Sequence, residues 1–234
     1  MPQKNTTSAP RERLIASPIE VLRRLPAMGK LMLTANHLGV THERIGVVET
    51  IATDGAWAIV SSTAHDSRIE LAAVAGIVVD RTSVMQDKAY PRIEFLRADG
   101  SEICHVVGFD GLEPFDEALA VFGPGSPADA GPAPVLRQKV DVAESDAALV
   151  RFEAVRTAGV PVVIAFRRPG FQQKWTGVVE AVKPAMGFVN VMRADFHLHI
   201  RAGAIGGWEM GLGSTAIAFG PDSEPIGLSV DLPH

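Results

Sequence analysis

Residues 46–49 read GVVE, and the same four residues recur at 177–180. An aromatic residue, Trp57 in one case and Phe188 in the other, follows each copy at the same distance. A helix-like segment and a strand-like run precede both copies, and a longer apolar segment and a hairpin pattern follow them. Self-similarity over this length is typical of duplicated units, so the sequence predicts a tandem duplication.

The chain of 234 residues divides around this repeat. Its middle, GPGSPADAGPAP at 123–134, combines prolines, which stop helices, with glycines, which raise backbone entropy. We therefore expect a disordered tail over residues 1–16, a first repeat over 17–122, a Pro/Gly linker over 123–135 and a second repeat over 136–234.

Local patterns predict helices and strands in both halves. In the first half, a capping box at 17–20 opens a short helix that Pro26 ends. Strand patterns and a second helix follow it, at 31–34, 45–51, 57–60, 69–79, the hairpin 93–97 and 102–106, and the helix 112–122. In the second half, Ser145 as N-cap and Gly159 bracket a helix over 146–158. Strand patterns then cover 160–166, 173–182, 188–192, 197–210, 216–219 and 226–230.

Many short, hairpin-linked strands with few long helices predict an α+β fold dominated by antiparallel sheet. The expected architecture is a tandem repeat of antiparallel β-sheet units with a few flanking helices.

The composition excludes several classes of protein. Lys and Arg number 22 against 27 Asp and Glu, and 6% of residues are aromatic, so nucleic acid is not an expected partner. The single cysteine, Cys104, excludes a disulfide framework and favours a reducing compartment, which we expect to be the cytoplasm. The N-terminus lacks the apolar core of a signal peptide, and no apolar run is long enough for a membrane helix, so no membrane partner is expected.

The most informative polar residues lie in FHLHIR at 196–201. Strand alternation places His197, His199 and Arg201 on one face and the apolar residues on the other. Two imidazoles followed by a guanidinium can ligate a metal or hold a carboxylate, although a solvated polar strand face gives the same pattern.

Two other candidates are weaker. His42 and Glu43 could be a base and its orienting carboxylate, but adjacent strand residues point to opposite faces. Cys104 alternates with Ile103 on a strand and is interpreted as a small buried residue. The sequence contains neither a phosphate-binding glycine loop of the known patterns nor a hydrolase or zinc-peptidase motif.

Several segments together resemble the HemS/ChuX haem-utilisation (haemin-degrading) family. In the first half the resemblance is carried by LPAMGKLMLTAN at 25–36 and HERIG at 42–46. In the second half the family's Q-x-x-T-G-x-x-E, W-x-N-V and F-x-L-H-L…I…W blocks are matched in order by FQQKWTGVVE at 171–180, FVNV at 188–191, and FHLHI at 196–200 with Ile205 and Trp208. The resemblance implies two β-rich repeats packed as a pseudo-dimer, an intracellular location, and a role in binding, delivering or breaking down haem.

The chain departs from the family pattern at two important positions. Longer members carry an axial histidine in a helical segment between the repeats, whereas residues 141–157 contain none. The family's arginine in a D-L-R-L strand has no counterpart at 69–73, and Arg68 is out of register.

The resemblance therefore implies a modified haem site. An imidazole of His199 or His197 would ligate the haem iron, with His199 as the surviving family residue. Arg201 or Arg168 would pair with the propionates, and Trp175 would help to cover the macrocycle.

Three functions stay open on the sequence. The first is a haem-binding or trafficking protein in haem-iron utilisation. The second is a diverged relative that uses the cleft for another small ligand or a protein partner. The third is a haem-degrading enzyme, which needs an axial ligand and a distal polar group that the sequence does not secure. A homodimer is left open as well.

Overall fold

The computed structural model describes residues 9–129 and 140–231. Its helices lie where the sequence predicts them, and they are α1 (Pro18–Leu22), α2 (Leu112–Leu119) and α3 (Ala147–Ala158), with short 3-10 helices at Leu25–Ala27, Leu71–Ala73 and Ala120–Phe122. Gly159 ends α3 in the left-handed conformation at φ 64°, as expected. The predicted N-cap is wrong, because Asp146 instead of Ser145 accepts hydrogen bonds from the first turn. None of the helices in the described ranges has the length and apolarity to cross a bilayer.

Strands make up most of the remaining described chain. Those of the first half are β1 (Arg11–Arg13), β2 (Lys30–His37), β3 (Val40–Val47), β4 (Thr50–Asp54), β5 (Trp57–Ser61), β6 (Asp66–Glu70), β7 (Gly76–Asp80), β8 (Val84–Met85), β9 (Lys88–Ala89), β10 (Arg92–Leu96), β11 (Glu102–Gly108) and β12 (Ser126–Pro127). Those of the second half are β13 (Pro161–Arg168), β14 (Phe171–Val178), β15 (Lys183–Ala185), β16 (Phe188–Met192), β17 (Phe196–Arg201), β18 (Gly207–Met210), β19 (Thr215–Phe219) and β20 (Pro225–Asp231).

The two halves exchange strands. The first sheet has the order β12-β1-β7-β10-β11-β2-β3-β17-β16-β15, and the second has the order β18-β19-β20-β13-β14-β6-β5-β4. Each half therefore completes the sheet of the other, through the antiparallel pairs β3 with β17 and β14 with β6. The order β7-β10-β11-β2-β3 has its counterpart in β18-β19-β20-β13-β14, which a tandem duplication would produce; the duplication itself stays a prediction. The predicted fold class, antiparallel sheets with a few flanking helices, is confirmed.

Strand exchange explains where the predicted strand boundaries are wrong. The expected strand 69–79 is two strands, because the chain leaves the second sheet after β6 and enters the first at β7. The expected strand 197–210 likewise divides between β17 and β18, and 45–51 divides between β3 and β4. An apolar run stays continuous across such a change of sheet, so hydrophobicity alone does not mark it.

The glycines that open both GVVE copies permit close packing. A Cβ atom at Gly46 would lie 2.2 Å from the Ala64 Cβ, and one at Gly177 would lie 2.4 Å from the Trp175 ring. Both positions therefore exclude any larger residue without a shift of their neighbours.

Parts of the expected tail and of the expected linker belong to the first sheet. The expected tail 1–16 contains β1, which pairs with β7, and Leu14 is buried, while residues 1–8 lie outside the described residues. Within the expected linker 123–135, Ser126–Pro127 pairs with β1, and residues 130–135 lie outside the described residues.

The core lies between the two sheets and forms one cluster of buried side chains. Its largest members come from both halves and include Phe95, Phe115, Phe152, Phe166, Phe171 and Phe196. Truncating a buried phenylalanine of this kind to alanine costs about 3–5 kcal/mol. Cys104 is fully buried, as the sequence predicts, and burial raises the pKa of its thiol well above the usual value.

Candidate functional site

The pairing of β3 with β17 assembles the polar face predicted at 196–201. Phe196, Leu198 and Ile200 are fully buried, and the side chains of His197 and His199 are 25% and 27% exposed on the opposite face. Strand alternation thus separates the two sets as expected.

Glu43 lies between the two histidines. The register places Glu43 opposite His197, and its Oε2 lies 3.2 Å from His197 Nδ1 and 3.7 Å from His199 Nε2. Thr34 pairs with Glu43 from the neighbouring strand β2, and its hydroxyl donates to Glu43 Oε1 at 3.4 Å. Glu43, His197 and His199 are called the Glu43 cluster below.

The charge of Glu43 is fixed by these contacts. Burial would raise the pKa of this carboxyl, but the hydrogen bond from His197 and the proximity of His199 outweigh it and hold the pKa at about 2. Glu43 is therefore an anion throughout the physiological range.

Asn190 sets the proton of His199. The Asn190 side-chain amide donates to the carbonyls of Lys183, Ala185 and Phe188, which identifies Oδ1 as its accepting end. His199 Nδ1 lies 2.6 Å from that oxygen and must carry the proton it donates. The lone pair of the neutral ring is consequently on Nε2, the atom that faces Glu43.

A cavity of about 850 Å³ adjoins the Glu43 cluster. It lies between the β2–β3 turn, the end of β17 and the turn that joins β19 to β20, and Thr41 and Arg201 are on its wall. Thr41 pairs directly with His199 in the sheet, and Arg201 is two residues further along β17 on the same face. The sheet therefore brings His197, His199 and Arg201 together at one site.

The wall of the cavity is both apolar and charged. Leu38 and Phe188 contribute apolar surface, Arg201 contributes a cation, and Asp222 and Glu224 contribute carboxylates. Such a wall suits a ligand that has an extended apolar body and ionised groups at its edge.

Arg168 is placed apart from the histidines. Its guanidinium donates to the carbonyl of Asn36, a cavity residue, at 2.6 Å. Burial lowers its pKa, and the nearby cation of Arg97 lowers it further. Arg168 therefore contacts the cavity wall through Asn36 on β2. The residues that shift its pKa do not belong to the Glu43 cluster.

Trp175 lies in the core, which corrects its predicted place beside a ligand. Its indole stacks on the Phe196 ring with centroids 4.5 Å apart, and its ring nitrogen donates to Asp195. The side chain is almost completely buried, so no face of the ring is open to a macrocycle on the outer face of the sheet.

His42 and Glu43 point to opposite faces, as strand alternation predicts. His42 is fully buried between Phe166 and Phe196, and its Nδ1 lies 2.7 Å from Gln173 Oε1. Burial lowers the pKa of His42 to about 4, so the ring is neutral. The two residues therefore do not act as a base and its carboxylate.

No protein-family model matches the sequence, and no curated protein matches it significantly. Solved structures do match. ChuS, described as a haem oxygenase of Escherichia coli, aligns with a TM-score of 0.74 and 17% identity over 96% of this chain and 84% of its own. The fold is that of ChuS. Holo-PhuS, a haem-binding protein from Pseudomonas aeruginosa, aligns with a TM-score of 0.70 and 18% identity over 96% of this chain and 82% of its own. The resemblance to the HemS/ChuX family drawn from the sequence is thereby confirmed at the level of the fold.

The sequence does not identify two residues of this site. It places Glu43 beside His42, and it shows Asn190 only within a block that resembles the family pattern. Both acquire their roles across strands, Glu43 through β3 with β17 and Asn190 through β16 with β17. Only knowledge of those registers could have identified them.

Proposed function

We propose that this chain binds haem in the cavity beside the Glu43 cluster and carries it in the cytoplasm during haem-iron utilisation. The observation that supports this most directly is a cavity of about 850 Å³ next to His199, whose Nδ1 donates to Asn190 and whose Nε2 is therefore the ring nitrogen available to an iron ion. The fold supports it as well, because ChuS is described as a haem oxygenase and PhuS as a haem-binding protein.

His199 is the proposed iron ligand. It lies next to cavity residue Thr41, and Asn190 keeps its proton on Nδ1, which leaves the Nε2 lone pair for coordination. His197 lies two residues further from the cavity along β17 than His199 does, and its Nδ1 is hydrogen-bonded to Glu43.

The cavity also fits the rest of a haem group. Leu38 and Phe188 offer apolar surface to the macrocycle, and Arg201 offers an exposed guanidinium to a propionate. Arg168, whose guanidinium donates to the carbonyl of cavity residue Asn36, is the proposed partner of the second propionate. Trp175 has no place in this arrangement because it is buried.

Titration of the purified protein with haemin tests the proposal. We expect a shifted Soret band in the unaltered protein and a weakened or altered one in His199→Ala. His105→Ala is the matched control, because His105 lies on the same face of the first sheet and pairs with a carboxylate, Glu102, at 2.8 Å. No Soret shift in the unaltered protein, or equal effects of the two substitutions, would exclude the assigned site.

One observation favours a second function, that of a diverged relative with a different small ligand. The Glu43 carboxylate stands 3.7 Å from His199 Nε2, where an iron ligand must be free. If haemin causes no spectral change, this second function is favoured. If a complex forms and its Soret band decays with a reductant under oxygen, the chain degrades haem instead of carrying it.

A further inference from the structure

We propose that Glu43, His197 and His199 form a binding site for a divalent transition-metal ion such as Zn²⁺ or Fe²⁺, which requires no haem. The set consists of two imidazoles and one carboxylate, and one potential ligand atom from each lies within 4.8 Å of the others. Two histidines and one carboxylate are a recurrent ligand set for catalytic zinc and for non-haem iron.

The spacing of the ligand atoms suits a single ion. Two ligand atoms that are each bonded to one zinc ion at about 2.0–2.1 Å, at the tetrahedral angle, lie roughly 3.3–3.4 Å apart. Glu43 Oε2 lies 3.2 Å from His197 Nδ1 and 3.7 Å from His199 Nε2. These two separations are within a few tenths of an ångström of that value, and the ligand atoms of the three residues all lie within 4.8 Å of one another, so rotations of the side chains would bring them around one ion.

The geometry of His199 makes its Nε2 atom available as a ligand beside Glu43. Asn190 Oδ1 accepts a hydrogen bond from His199 Nδ1, so in the neutral ring the Nε2 lone pair faces the Glu43 carboxylate. A cation placed between these two electron-rich atoms is attracted by both. A divalent ion satisfies both atoms at once.

At the other junction between the two halves, a lysine is the cation that faces a carboxylate. At the pairing of β14 with β6, Lys174 Nζ lies 3.5 Å from Asp66 Oδ2. Glu43, by contrast, makes its ion pairs within the described part of the chain with His197 and His199 only. Both of these partners are metal ligands in their neutral form.

The surroundings of the cluster resemble those of a metal site. Asn190 orients His199 through the ring nitrogen that does not face the cluster, and Thr34 donates to the second carboxylate oxygen of Glu43. Such contacts to ligating residues fix ring orientation and raise ligand basicity. The histidine side chains are about a quarter exposed, so a bound ion would keep open positions for water or a small ligand.

The donor set also indicates the class of metal. Nitrogen ligands suit zinc, iron, cobalt, nickel and copper, whereas magnesium and calcium prefer sites made of oxygen alone. We therefore expect the site to discriminate strongly against magnesium and calcium.

Cobalt and zinc titrations of metal-free protein without a polyhistidine tag test this inference. We expect one Co²⁺ per chain with visible d–d absorption, displaced by Zn²⁺, and no response to Mg²⁺. His197→Ala and Glu43→Gln should each weaken Zn²⁺ binding by about a hundredfold or more, and Asn190→Ala by roughly ten- to a hundredfold. His105→Ala, which alters a histidine–carboxylate pair without a third ligand, should leave the affinity as it is.

Absence of cobalt bands in the unaltered protein, or equal losses in His105→Ala and His197→Ala, would overturn the inference. Glu43→Gln preserves the shape of the side chain, so the test stands even if a histidine variant fails to fold. The result is separable from the haem titration, because a protein that binds Co²⁺ without a Soret shift retains the metal site and loses the proposed haem function. The reverse result retains haem binding and removes the metal site.

Discussion

His42 on β3 and Gln173 on β14 are joined by a hydrogen bond of 2.7 Å in the middle of the core, between the first sheet and the second. The Gln173 amide donates in turn to the Leu33 carbonyl and to the Ser67 hydroxyl. Gln173 Oε1 is therefore the accepting end, and His42 donates from Nδ1. This buried polar contact ties the two sheets at the place where they exchange strands.

Stability should fall as the pH is lowered from 7 to 5, because His42 and His65 are buried without charge. Burial lowers the pKa of each ring from 6.5 to about 4, so the unfolded chain takes up protons first as the pH falls. The stability present above pH 6.5 is lost progressively towards pH 4, and at pH 5 each histidine should account for about 2 kcal/mol. Urea unfolding at both pH values measures the loss.

Substitution assigns this loss to individual residues. His42→Gln and His65→Gln should each remove about 2 kcal/mol of the pH dependence between 7 and 5, and His37, whose pKa is lowered by burial, contributes in the same direction. The Glu43 carboxyl does not interfere, because its pKa of about 2 places its own effect below pH 4.5. A pH dependence that is the same in His42→Gln and in the unaltered protein contradicts this account.

Local patterns in the sequence are sufficient to predict most of the helices and strands and the polar face of β17. Alternation in FHLHIR correctly separates the buried residues from His197 and His199, and Gly159 correctly ends α3. The cap of α3 was assigned one residue too early, since Ser145 and Asp146 are both good capping residues and only the backbone geometry distinguishes them.

Pairings across the chain could not be predicted in this way. Glu43 meets His197 although 154 residues separate them, and this contact exists only because β17 leaves its own half. The family resemblance implies that Trp175 lies beside a ligand, but its position on the inner face of β14 buries it. Register and sheet membership decide both outcomes, and hydrophobic periodicity encodes neither.

Asp146 should stabilise the fold more than a typical surface aspartate. One carboxylate oxygen accepts from the Ala148 and Leu149 amides at the start of α3, and the other accepts from the amide of Gly203, a cavity residue. Asp146→Ala should lower the free energy of unfolding by about 1–2 kcal/mol. Ser145→Ala is the matched control with an expected change near zero, and an equal loss in both variants would argue against the cap.

Leu38 should be replaceable with a gain in stability. It occupies the β2–β3 turn at φ 48° with half of its side chain exposed, and a left-handed conformation costs a leucine about 1 kcal/mol. Leu38→Asn should raise the free energy of unfolding by about that amount, since asparagine tolerates this conformation. Leu212→Asn, at an exposed leucine without a positive φ, should change little in the same urea series. Equal gains would show that exposed apolar surface, and not backbone strain, is responsible.

Zinc and haem should compete for the protein, because both proposed sites use the single lone pair of His199 Nε2. With free Zn²⁺ at one hundred times its dissociation constant, mass action should raise the apparent dissociation constant for haemin about a hundredfold. Haemin titrations with and without Zn²⁺ measure the effect, and EDTA should reverse it. In His197→Ala, where zinc binding is weakened, the dependence on Zn²⁺ should largely disappear, whatever the affinity for haemin. An equal effect of Zn²⁺ on both proteins would mean that the ion acts at another place, and His199 would then not be shared.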